Sequence, residues 1–108
     1  MVQSMAMSHA LVVEVDNSGE DPDEGSRRLH EELAPFVRHL PGFKSLLFMT
    51  AFGRGFGIGV VVFDDRNQAE QAAAGLGVGT SPREGVTVTR TEILTVEVSS
   101  QRADLGGP

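Results

Sequence analysis

Few side chains in this 108-residue chain could carry chemistry, and they are widely spaced. His9, His30 and His39 are the candidates for proton transfer or metal ligation, because imidazole titrates near neutral pH and readily binds metals. The lack of cysteine excludes thiolate nucleophiles, thiolate metal sites and disulfides, and the lack of tyrosine removes a phenolic acid or base. On a helix at about 100° per residue, His30 and His39 fall on opposite borders and do not chelate one ion together. His9 opens an apolar strand pattern and is the better candidate for a pocket. The acids Asp16, Glu20, Asp21, Asp23 and Glu24 raise the question of a cation site, but they lack the alternating oxygen ligands, central glycine and closing glutamate of a calcium loop. Acids at that place also suit the dipole of a following helix. No G-x-S-x-G, H-E-x-x-H or phosphate loop occurs. The run GRGFGIG at 53–59 is no dinucleotide fingerprint, since its glycines lead into a strand and not a helix.

The elements that would position these groups are organised around residues 42–65, GFKSLLFMTAFGRGFGIGVVVFDD. Two runs rich in β-branched and aromatic residues, 45–52 and 56–63, flank Gly53, Arg54 and Gly55, which predicts an antiparallel hairpin. In the second run Gly55, Gly57 and Gly59 alternate with Phe56, Ile58, Val60 and Val62, so one face of that strand carries no side chains. A helix, a partner subunit or a flat ligand can approach such a face closely.

Upstream, HALVVEV at 9–15 reads as a strand with His9, Leu11, Val13 and Val15 on one face. Asp21, Pro22 and Glu24 read as an N-cap, a first-turn proline and a capping box. Leu29, Leu33, Phe36, Val37 and Leu40 then recur at helical spacing, with Pro35 expected to kink the helix and Leu40-Pro41-Gly42 to stop it. Downstream, Asp64 and Asp65 can cap a second helix whose stripe is Ala69, Ala72, Ala73 and Leu76. A loop at 75–85 leads into a closing strand in which Val86, Val88, Leu94, Val96 and Val98 share one face. That strand is longer than usual, so it is either bulged or projects past the domain edge.

The order β-α-β-β-α-β is the ferredoxin-like arrangement: an α+β fold with a four-stranded antiparallel sheet and two helices on one face. One such domain is expected over 9–99, with a flexible leader at 1–8 and a disordered tail at 100–108. The second and third strands are apolar on both parities, so the remaining sheet face requires a cover, and a second copy of the chain is the simplest one. A net charge of -6 disfavours nucleic acid and anionic membranes as partners. No apolar run approaches the ~20 residues of a bilayer span, and residues 1–9 lack the basic and apolar regions of an export signal. A soluble, cytoplasmic protein is expected. An RNA-recognition module has the same element order, and Arg54-Gly55-Phe56-Gly57 begins its strand motif, but Ile58 stands where a base-stacking aromatic is needed.

The sequence resembles the dimeric α/β-barrel proteins of the antibiotic biosynthesis monooxygenase-like superfamily. The likeness rests on LPGF at 40–43, VVVFDD at 60–65 running into an alanine-rich helix, and TEILTVEV at 91–98. It implies that two sheets close into a barrel across a homodimer and that a small apolar or aromatic substrate sits between sheet and helices. It also implies a monooxygenase-like reaction that uses no cofactor and no metal; the Asn, His and Trp set of haem-degrading members has no counterpart here. Under that resemblance His9 is the candidate for proton transfer and Arg90 for stabilising an anion, with Phe48, Phe52, Gly57 and Gly59 against the substrate. The alternative is a dimer that binds a small ligand without turning it over, or one that is purely structural.

Overall fold

Turn chemistry places the hairpin where the glycines stand. Gly53 and Gly55 adopt φ of 74° and 68°, a region open to glycine at little cost, and the Arg54 N–H donates to the Ala51 carbonyl at 3.0 Å. The structure, a computed structural model, describes residues 7–51 and 53–100. Its strands are β1 (His9–Asp16), β2 (Phe43–Ala51), β3 (Phe56–Phe63) and β4 (Thr87–Thr95). Helix α1 covers residues 22–38 and helix α2 is Arg66–Ala73. All neighbouring strands are antiparallel, in the order β2-β3-β1-β4.

Both helices pack on one face of the sheet. Leu11 of β1, Val61 and Phe63 of β3, Val37 of α1 and Ala69 of α2 form the buried core. Phe63 is 1% exposed and Ala69 is fully covered, and burying a large apolar side chain of this kind contributes roughly 1.5–3 kcal/mol. The small residues of α2 let it lie close across β1, β3 and β4, while the last segment of α1 covers β2. The result is a small α+β fold with a four-stranded antiparallel sheet, compatible with a ferredoxin-like arrangement. Among the described residues no helix is long and apolar enough to cross a membrane.

Local chemistry accounts for the helix ends. Asp21 accepts from the Glu24 N–H at 2.9 Å with Pro22 in the first turn, but the Glu24 carboxylate accepts from Arg27 and Arg28 and does not reach back to the cap. At α2 both halves of a capping box are present: Asp65 accepts from the Gln68 N–H at 2.9 Å, and the Gln68 side chain accepts from the Asp65 N–H at 3.2 Å.

Pro35 disturbs α1 in a specific way. Proline has no N–H, and its ring collides with the carbonyl four residues back in a regular helix. Here the chain widens into a π-helical turn, Leu29–Leu33, between the α-helical segments Pro22–Arg28 and Ala34–Arg38, and the Ala34 N–H donates to the Leu29 carbonyl. The expected disturbance is therefore an enlarged turn placed just before the proline.

The closing strand also differs from its expected pattern. A bulge shifts the β1–β4 register between Glu14 and Val15, so that Val15 faces Val88 while Glu14 faces Arg90. The extra residue reverses the alternation. Val88 is 1% exposed on the helix side, whereas Leu94, opposite Ala10, stands 47% exposed on the other face. The strand bulges and ends at Thr95. The face away from the helices carries Leu47, Met49, Ile58, Val60, Val62, Val12 and Leu94 in register across all four strands, together with the charged group Glu14, Arg90 and Glu92 on β1 and β4. Leu47 is 61% and Met49 46% exposed there, so this single chain leaves the apolar part of that face uncovered.

Candidate functional site

The first half of α1 stands off the hairpin end of the sheet and leaves a cavity of about 890 Å3. Two features border it. The bare stripe of β3 gives no side chains to fill the space, and Glu20, in the loop after β1, forms an ion pair with Arg83, in the loop before β4, at 2.6 Å. The Glu20 side chain is 9% and the Arg83 side chain 26% exposed. A Cβ on the buried Gly25 would lie 2.6 Å from Glu20 Oε1, so the missing side chain in α1 is what lets the carboxylate rest against the helix backbone.

Val15, Leu29, Phe48 and Val86 are among the apolar residues of the wall, with Gly57 on its floor; its polar groups include Asn17, Glu20, Asp23, His30, Arg54 and Arg83. Phe48 lies directly opposite Gly59 in the β2–β3 register. A Cβ on Gly59 would sit 3.2 Å from two carbons of the Phe48 ring, so the ring occupies the space the glycine leaves open. His30 belongs to the π-helical turn, and its Nδ1 is 2.9 Å from the Ser26 carbonyl oxygen.

Four of the five acids, Asp16, Glu20, Asp21 and Glu24, each have a separate partner. Asp16 accepts from the hydroxyl and the N–H of Ser18, which hold its carboxyl below the ordinary carboxylate range. The hydrogen bonds from Arg27 and then Arg28 bring Glu24 down to about 2. Among the described residues no group of three or more His, Asp or Glu side chains is placed to hold a metal ion.

Of the residues singled out from the sequence, Phe48 and Gly57 line the cavity, Gly59 adjoins it beneath the Phe48 ring, and Phe52 lies outside the described residues. His9 stands at the far end of β1, roughly 20 Å along the strand from Val15. Its Nδ1 is 3.0 Å from the Met7 carbonyl and its Nε2 is 3.3 Å from the Thr95 hydroxyl. Arg90 is on the open sheet face, donating to Glu14 at 2.6 Å and to Glu92, contacts that hold its charge more firmly than usual. The structure brings Phe48 and Gly57 together and leaves His9 and Arg90 apart from them. Residues 1–6 of the expected leader and 101–108 of the expected tail lie outside the described residues.

Sequence reasoning set His30 aside as a residue at the border of a helix and did not pair Glu20 with Arg83. Two signals pointed toward them: a proline inside a helical pattern, which requires a local departure from α geometry just upstream, and Gly25 within a helix, which marks a close approach. No family model matches this chain, and no curated protein matches it.

Proposed function

We propose that the protein acts as a homodimer of the dimeric α/β-barrel kind, and that each copy takes a small apolar or aromatic ligand into the cavity between α1 and the hairpin. The cavity carries this reading: about 890 Å3 falls within the range of small-molecule sites, which combine mostly apolar walls with a few placed polar groups. Support for the dimer comes from the open face, where Leu47, Met49 and Leu94 are solvent-exposed beside Ile58, Val60 and Val62. Four strands about 4.8 Å apart and roughly 26 Å long present on the order of 500 Å2 in projection per copy. Such a face makes an interface at the small end of specific associations.

Turnover of the ligand in the manner of a cofactor-independent monooxygenase is a second reading. It requires a group beside the ligand that can take up a proton, and His30, on the cavity wall, is the observation in its favour.

Native mass spectrometry of gently purified protein tests both parts. The expected species has the mass of two chains and retains a small molecule, either co-purified or added as naphthalene. A monomer at micromolar concentration refutes the shared sheet face, and a dimer that takes up no aromatic probe refutes the cavity.

A further inference from the structure

We infer that His30 is the hydrogen-bond acceptor that selects the ligand, and that the cavity prefers aromatic molecules bearing a hydroxyl group. This inference rests on the cavity being a ligand site and adds to it a residue and a chemical class. A carbonyl oxygen only accepts, so the contact of His30 Nδ1 with the Ser26 carbonyl at 2.9 Å puts the hydrogen of the neutral ring on Nδ1 and leaves a lone pair on Nε2. The side chain is exposed, and among the described residues that nitrogen has no protein hydrogen-bond partner. Two carboxylates stand on the wall: Glu20 is already engaged by Arg83, while Asp23 is exposed in the first turn of α1, so Asp23→Asn is one control and should keep the preference. A mostly apolar wall with an acceptor held in one orientation discriminates through the donor a ligand brings, because a ligand without a donor gains no hydrogen bond from it.

Two neighbouring features make the arrangement specific. The π-helical turn before Pro35 starts at Leu29 and His30, and both consecutive residues line the cavity. His39, on the same helical segment of the chain, makes the same kind of contact, Nδ1 to the Pro35 carbonyl at 2.7 Å, but is not on the cavity wall. It therefore serves as an internal control.

The test compares 1-naphthol with 1-methoxynaphthalene, which has nearly the same shape but no donor, by NMR titration of the full chain at pH 8. A net hydrogen bond predicts that naphthol binds about 3- to 10-fold tighter. His30→Leu should bring the two affinities within about 2-fold, while His39→Leu keeps the preference. The His30 Nε2 resonance of the unsubstituted protein should move with naphthol and stay with the methoxy compound, a readout that holds even if the His30→Leu chain folds poorly. Equal binding of the two compounds, or a preference that survives His30→Leu, overturns the role of His30 while leaving the cavity standing. Failure of both compounds to shift cavity residues such as Gly57 and Val86 overturns the cavity reading, and this inference falls with it.

Discussion

A side chain placed at Gly59 tests whether the bare stripe of β3 shapes the cavity. A Cβ there sits 3.2 Å from Cδ1 and Cε1 of Phe48, closer than the ordinary contact range of 3.4–4 Å. Gly59→Ala should be nearly neutral: removing glycine from a strand interior gains about 0.5–1 kcal/mol, and the ring need shift by only a few tenths of an ångström. Gly59→Val adds two methyl groups on the side where the ring lies, and overpacking of this kind costs about 1–3 kcal/mol. Phe48 is half-buried, so Phe48→Ala alone should cost roughly 1.5–3 kcal/mol. In the double variant the ring is gone and the valine fills part of its space, so the two losses should not add. The expected coupling is about 1–2 kcal/mol in the restoring direction. Urea unfolding of the four proteins, analysed with a common slope, measures it. Losses that add to within about 0.5 kcal/mol would refute the direct packing of Phe48 on Gly59.

Gly42 has φ of 79°, and a Cβ there would overlap the Gln68 side-chain amide. Gly42→Ala should therefore cost about 2–3 kcal/mol through backbone strain and loss of the α2 capping box; a change under about 1 kcal/mol in urea unfolding would refute both contributions. Phe63→Ala, in the middle of the core, should cost about 3–5 kcal/mol by the same assay, a large share of the ~5–15 kcal/mol typical of a domain. The Glu24 carboxyl is held at about 2, below its ordinary 4.5, so the stability it supplies is complete above pH 4.5 and is lost as the pH falls from there through 2. Asp16 acts in the same sense through Ser18. Thermal melts between pH 5 and pH 2 should fall less steeply for Glu24→Gln than for the unsubstituted protein, and parallel curves would contradict the arginine contacts.

Turn and cap chemistry was legible before any tertiary contact was known. Gly53 and Gly55 mark the hairpin because two positive φ values are needed within three residues. Asp21 and Asp65 mark helix starts because a short carboxylate reaches the free N–H groups of the first turn. Alternation also predicted that Leu11, Val13 and Val15 would share a face, and all three lie on the helix side of β1.

The same periodicity failed at β4. One bulged residue placed Val88 and Leu94 on opposite faces, and period-2 alternation carries no signal for an insertion that only the partner strand reveals. The site was less legible for a related reason. Glu20 and Arg83 are distant in the sequence, and neither stands in a motif. Helical spacing at 100° per residue placed His30 at a border of α1, but that spacing does not hold through a π-helical turn.

By itself, then, the sequence determined the element order, the hairpin, the helix starts and the apolar character of β2 and β3, since each depends on residues close together in the chain. Only the tertiary structure decided which face the helices cover, how β4 is registered, that Glu20 meets Arg83, and that His30 and Phe48 border one cavity. Those outcomes depend on contacts between distant segments, whose geometry is set by how the whole core packs and not by any local pattern.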